Sequence, residues 1–294
     1  MKISIVLKPK VVSDFSNVLP NLVDWLKRRK CSVQFLDHEQ DRIHKIFKGK
    51  TKSFEFIEKD EISKVSDLII SLGGDGTLIG ICRKATQTMP PVFGVNMGHL
   101  GFITEFNKVN MFDELTRILK GEYTTRDLYV YSVEVQKYGK KVFKGKFIND
   151  AVINKNDISR MFTLSVEVDG EHVYDLSGDG IIVSSPTGST AYSLAAGGPI
   201  IHPGVNGIVL TPICPHSLTH RPLLITDKSI VKIKVDKKNS PVNLTLDGQL
   251  NISVDSNEVV LIKRSGRKVK LIENPDRNYF LTLKEKFTHG KRSY

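Results

Sequence analysis

At 294 residues, 40% of them hydrophobic and 26% charged, the chain has the composition of a globular protein with one large domain or two. No run of about 18 apolar residues exists to form a membrane-spanning helix, and MKISIVLKPK is too short for a signal-peptide core, so neither a membrane nor a secreted location is expected. The 43 basic against 32 acidic residues leave a net charge of +11, which admits phosphate-bearing small molecules, nucleic acid or an anionic surface as partners. A solvated basic face is the plainer reading of that charge, and no aromatic-interleaved basic ribbon or helix-turn-helix favours nucleic acid. Cys31, Cys82 and Cys214 are far apart and odd in number, against a disulfide framework or a structural zinc site, and point to the cytoplasm.

In chain order, ISIVL (3–7) reads as a strand. Val18, Leu22, Trp25 and Leu26 share one face of a helix over 14–29. SVQFL (32–36) is a second strand, and the lysine-rich 38–64 is expected to be irregular. LIISL (68–72) and PVFGV (91–95) are strands separated by a helix in TLIGICRKA (77–85). NMFDELTRILKG (110–121) is a helix ended by Gly121. This alternation predicts an α/β domain over 1–124 with a Rossmann-like parallel sheet. After about Thr124 the texture becomes short alternating runs, among them YVYSVEVQ, FTLSVEVDGEHVYDLSG and VNLTLDGQ, with turns at DG and SGDG. That predicts an all-β, sandwich-like domain over 125–274, with 275–294 packing back on the first domain.

Several blocks carry chemistry. In SLGGDGTLIG, Gly73, Gly74 and Gly76 let backbone N–H groups converge on an anion at a helix N-terminus, beside Thr77. No Gly-Lys-Ser/Thr follows and position 79 is Ile, so it is neither a Walker loop nor a dinucleotide fingerprint. Asp75 in that turn is placed either to deprotonate a hydroxyl attacking a phosphate or merely to cap the helix. SGDGIIVSSPTGSTAYSLAAGGPIIHPG (177–204) masses hydroxyls and one tyrosine as a nucleotide or sugar site would, or as a serine-rich loop does. FINDAVI (147–153) sets Asn149 and Asp150 among apolar residues, suited to an adenine edge and a ribose hydroxyl, or to a strand-end turn. His99 and Phe102 in NMGHLGFITEF, and His216, His220 and Arg221 in PICPHSLTHRPL, read as structural residues.

Together GGDGT (73–77), GHLGF (98–102), the Asn-acidic pair, DGIIVSSPTGSTAYSLAAGGP (179–199), CPHSLTHRPL (214–223) and DGQ (247–249) resemble the NAD kinase family, ATP- or polyphosphate-dependent. GGDGT alone is shared with diacylglycerol and sphingosine kinases, whose substrates need an apolar channel, and 184–199 is polar. The resemblance implies transfer of the ATP γ-phosphoryl, or that of polyphosphate, to the 2′-hydroxyl of the adenosine ribose of NAD, with Mg²⁺ accompanying ATP. It implies NAD bound between the domains and between subunits of a homodimer or homotetramer. Asp75 would be the proton acceptor, with Gly73, Gly74, Gly76 and Thr77 in the phosphate-facing turn and Phe102 against a base. Asn149 and Asp150 would hold the adenosine, and Arg160, Asp179, Thr190, Ala191, Tyr192, Ser193, Leu194, Ala195 and Gln249 would complete the NAD site. No metal ligand is assigned to a side chain. The sequence departs from the family pattern in Asp150, where Glu is common, and in Ser177, where some members carry Arg, leaving NAD-versus-NADH preference open.

Overall fold

The computed structural model describes residues 1–9, 14–98, 101–156, 162–236 and 241–288. The chain divides into two compact units, 1–128 with 268–294, and 129–267. Strands β1 (Lys2–Leu7), β2 (Ser32–Leu36), β3 (Glu55–Ile57), β4 (Leu68–Gly73) and β5 (Val92–Asn96) form a parallel sheet in the order β3-β2-β1-β4-β5. All six residues of β4 are buried, which is why its sequence is apolar but for Ser71 and does not alternate. Helix α1 (Phe15–Arg28) buries Phe15, Leu19, Leu22, Val23 and Leu26 in the core that lines this sheet.

Residues 38–64 overturn the expectation of an irregular segment. They hold α2 (Gln40–Ile46), β3 and α3 (Ile62–Val65). Phe47, Phe54 and Phe56 gather round the buried Phe35, and burying such a ring contributes about 1.5–3 kcal/mol. Helix α4 (Asp75–Cys82) follows β4 directly, and the short β6 (Phe106–Asn107) lies along β5. After α5 (Met111–Leu119) the C-cap is Lys120, and Gly121 is the next residue, at φ +81°. The Gly121 and Glu122 amides bond back to Ile118 and Arg117, closing the helix by the left-handed turn that glycine allows.

The chain leaves the first unit within β7 (Thr125–Lys137). It continues through β8 (Lys140–Phe147), β9 (Asp150–Lys155), β10 (Phe162–Val168), β11 (Glu171–Gly178), β12 (Gly180–Ser184) and the short α6 (Tyr192–Ala195). Then come β13 (Gly207–Ile213), β14 (Leu223–Thr226), β15 (Val231–Val235), β16 (Val242–Leu246), β17 (Leu250–Val254) and β18 (Glu258–Ile272). One antiparallel sheet runs β14-β13-β12-β9-β16-β17; against it stand β11, β10, β15 and the first part of β18, with β7 and β8. Ile181 and Val183 of β12 point into the core shared by the two sheets. Ile182, with Val152 and Ile213, packs on the opposite face against Ala196. Burial on both faces explains why GIIVS does not alternate.

The Asp169-Gly170 and Asp247-Gly248 turns have both residues at positive φ; the first closes a two-residue hairpin, and the second, with Gln249, a three-residue one. SGDG is a different object. Gly178 ends β11 in one sheet and Gly180 begins β12 in the other, so Asp179 sits on a crossing between sheets rather than in a hairpin. A Cβ at Gly180 would stand 2.3 Å from the Ile153 carbonyl oxygen. In β18 the chain returns to the first unit, pairing Leu271 with Val92 in parallel, and the described chain ends in α7 (Tyr279–Thr288). No helix among the described residues is long and apolar enough to cross a membrane.

Candidate active site

Asp75 lies just past the carboxyl end of β4, which with β1 borders the point where the order of the parallel sheet reverses. Ligands bind at such a place in open α/β sheets. Asp75 is the first residue of α4 and makes no capping bond. Its carboxylate instead reaches the 101–104 segment. Oδ1 accepts from the Ile103 amide at 3.2 Å, the Thr104 amide at 2.9 Å and Thr104 Oγ1 at 2.8 Å. Among the described residues Oδ2 accepts only from the Phe102 amide, at 2.7 Å. Gly101 has to be glycine, since a Cβ there would lie 2.0 Å from Asp75 Oδ1.

The three loop glycines differ in role. A Cβ at Gly73 would meet Thr77 Oγ1 at 2.2 Å, whereas Gly74 and Gly76 have nothing within 4 Å of theirs. Gly73 is there for packing; Gly74 and Gly76 leave an open approach to the helix N-terminus. The segment carrying Phe102 is held from the C-terminal side. Glu105 takes Arg126 at 2.7 Å and the Asn274 amide at 3.0 Å, and Arg277 donates to the Gly101 carbonyl. Lys286 of α7 stands 5.8 Å from the centre of the Phe102 ring.

In the second unit, Asp150 begins β9 and Asn149 directly precedes it, and Asp247 in the β16–β17 turn fixes them. The Asp247 carboxylate accepts from the amides of Ile148 at 3.1 Å, Asn149 at 2.7 Å and Asp150 at 3.3 Å. Gly188 comes so close that a Cβ would stand 2.1 Å from the Asn149 carbonyl oxygen. The Ser185 amide and hydroxyl bond to the carbonyls of Asn149 and Ile148. Asn149 Oδ1 is buried without a hydrogen-bond partner among the described residues, a costly state for an amide unless a ligand supplies a donor. The Asp150 carboxyl is 5% exposed; burial first, and then the neighbouring Asp247 charge, push its pKa up to about 7.

The hydroxyl-rich block divides. Ser184, Ser185, Ser189 and Ser193 are buried and satisfied inside the fold: Ser189 donates to the Pro186 carbonyl and receives the Ile201 amide, and Ser193 pairs with Thr211. Thr187, Thr190, Ala191 and Leu194 are half-buried, while Ala195 and Tyr192 are exposed, the last at 48%. Gln249 follows the Asp247 turn and is exposed.

Asp179 is not brought into the Asn149 cluster. Ser184 pairs in register with Asp150 and Gly180 with Asn154, so the length of five-residue β12 separates them, about 15 Å. Asp179 instead bonds Lys155 at 2.7 Å, and that bond, helped by Cys214 and His216, holds its carboxyl below the usual range. Ser177 bonds Thr163. His220 packs on Tyr174 with ring centres 5.2 Å apart. Arg160 and His99 lie outside the described residues. Reading the sequence alone overlooks Gly101, Thr104, Asp247 and Arg277, of which only Gly101 and Asp247 fall in a recognisable motif.

A glycine turn that opens a helix at the switch point of a parallel sheet, with an anchored carboxylate beside it, defines a phosphotransferase of the GGDGT type. Residues 3–123 match the ATP-NAD kinase N-terminal domain model and 148–274 the C-terminal one. The chain is 38% identical to the NAD kinases of Geotalea daltonii and Syntrophotalea carbinolica, each time over 94% of this chain and 94% of the relative. A yeast NADH kinase solved with NADH superposes with a TM-score of 0.89 at 23% identity, over 100% of this chain and 89% of its own. An NAD kinase from Archaeoglobus fulgidus solved with ATP gives 0.75 at 23%, over 97% and 98%. The chain belongs to the ATP-NAD kinase family, and phosphorylation of NAD is its activity.

Proposed function

We propose that Asp75 accepts the proton of the adenosine-ribose 2′-hydroxyl as that oxygen attacks the γ-phosphoryl of ATP, or of polyphosphate. The observation that carries this is the uneven use of its carboxylate. Oδ1 already takes three donors, whereas Oδ2 takes one and keeps a lone pair for a further hydroxyl. Four fixed bonds also hold the carboxylate in one orientation, so little reorganisation is needed at the moment of transfer. Gly74 and Gly76 admit donor phosphates to the α4 N-terminus. A Mg²⁺ bound with the donor would supply charge neutralisation at the transferring phosphoryl. No group of three His, Cys, Asp or Glu side chains among the described residues could hold a metal, so what fits is a cation carried mainly on donor phosphates and water.

The adenosine half of NAD is held by Asn149, whose unpartnered Oδ1 accepts from an exocyclic amine, and by Asp150, with Thr190, Ala191, Tyr192, Ser193, Leu194, Ala195 and Gln249 around them. Phe102 lies against a base, and Arg160 contributes its charge to the same ligand. Asp179, remote from Asn149 in its own chain, serves NAD bound to a neighbouring copy in a homodimer or homotetramer. Exposed Leu218, Leu224 and Val205 support such self-association. The three free cysteines support the cytoplasm as compartment.

The test is NADP formation by Asp75→Asn and Asp75→Ala, with NAD binding measured in parallel. Turnover is expected to fall at least ~10²-fold with NAD affinity kept, as when a positioned base is lost. Near-wild-type turnover in either variant removes Asp75 from this role.

A further inference from the structure

We propose that Arg277 is a positioning residue for phosphoryl transfer and acts on Asp75 through the single peptide group that joins Gly101 to Phe102. The proposal rests on reading Asp75 as the base. The carbonyl oxygen of that peptide accepts from Arg277 Nη2 at 2.5 Å, and its N–H, carried by Phe102, donates to Asp75 Oδ2 at 2.7 Å. A guanidinium on the oxygen side of a peptide polarises it and strengthens the donor on the other side. The chain of bonds therefore ends on the very oxygen that keeps a lone pair for the substrate.

The guanidinium is fixed from behind. Its Nε donates to Thr282 Oγ1 at 3.0 Å, and Thr282, buried in α7, donates to the Asn278 carbonyl. Nη1 is buried and has no partner among the described residues. A buried cation needs compensating charge, and every element round this one contributes to the balance: Asp75 from α4, Glu105 before β6, and Glu285 from α7 favour its charge, while Arg126 in β7 opposes it. Glu105 is already bonded to Arg126 and to the Asn274 amide. Asp75, by contrast, forms no ion pair among the described residues, and the hydrogen-bonded link from it to Arg277 runs through the Gly101–Phe102 peptide. Gly101 makes that link possible, since any Cβ there would strike the carboxylate. Burial pulls the Arg277 pKa down, yet a guanidinium stays protonated in proteins, so the cation is permanent.

The test compares Arg277→Ala, Arg277→Lys, Thr282→Val and Asp75→Asn in the full chain, measuring kcat and KM for NAD and ATP from pH 5.5 to 9, with Tm as a check on folding. Arg277→Ala is expected to lower plateau kcat about tenfold and to move the acid limb of kcat upward by about half a pH unit or more, with both KM values within about twofold. Arg277→Lys keeps the charge without the fork and should fall between Arg277→Ala and the wild type. Thr282→Val loosens the fork and should lower kcat two- to threefold. An unmoved acid limb in Arg277→Ala, or a loss confined to KM, overturns the proposal. If Arg277→Ala does not fold, wild-type profiles in both Arg277→Lys and Thr282→Val overturn it equally. Near-wild-type turnover in Asp75→Asn would defeat the reading of Asp75 and with it this one. An inactive Asp75→Asn beside an unshifted Arg277 series defeats the Arg277 proposal alone.

Discussion

Asp150 should make the stability of the protein fall as pH rises through neutrality, against the usual behaviour of a carboxylate. Its carboxyl is held in its protonated form by burial and by Asp247, from 3.8 up to about 7. Below pH 3.8 both folded and unfolded chains carry the proton. Between 3.8 and about 7 only the folded chain does, so the unfolded state binds fewer protons and stability declines with pH. Complete transfer of that difference amounts to about 4 kcal/mol, which relaxation round the ionised group trims to about 2–4 kcal/mol. Asp150→Asn has nothing to ionise, so its stability relative to wild type should rise by that amount between pH 4 and pH 8. Urea unfolding followed by circular dichroism measures the difference; fluorescence is the poorer probe, because the one tryptophan, Trp25, belongs to the other unit. Parallel stability–pH curves for the two proteins would refute the burial argument.

The glycines on either cluster give sharper mutational expectations. Gly188→Ala places a Cβ 2.1 Å from the Asn149 carbonyl oxygen, a backbone atom that cannot swing aside; KM for NAD should rise about tenfold or more, or unfolding free energy drop by over about 2 kcal/mol. Gly101→Ala drives a Cβ against Asp75 Oδ1; kcat should fall at least about 10²-fold, while NAD affinity measured by titration calorimetry changes less than about threefold.

What the sequence discloses of this molecule is what depends on near neighbours. LIISL and the 111–119 helix are legible because a fully buried strand and a one-faced helix write their burial into adjacent residues. The 38–64 segment is not, because what orders it is the contact of Phe47, Phe54 and Phe56 with Phe35 of β2, which lies outside the segment. The serine block is legible as a place but not as a set of roles. Its composition suggests donors turned toward a ligand, whereas Ser185, Ser189 and Ser193 spend theirs on the backbone and on Thr211. Asp75 and Asp150 are visible through their unusual settings. The groups that hold them are not: Asp247 lies 97 residues from Asp150, and Arg277 lies 176 residues from Gly101.

The discontinuity of the first unit has a consequence for how the chain matures. Its sheet receives Leu271 beside Val92, Glu105 waits for Asn274, and Gly101 for Arg277, so the unit that begins synthesis lacks these partners until the C-terminal segment emerges. The intervening 129–267 is continuous and has all its strands once Arg267 is made. Domains fold as units as they leave the ribosome, and a folded insert brings its two ends together at no further loop-closure cost. The first unit is thus finished only after the second, and a nascent chain acquires the segment that braces Asp75 only once the whole of 129–267 has been made.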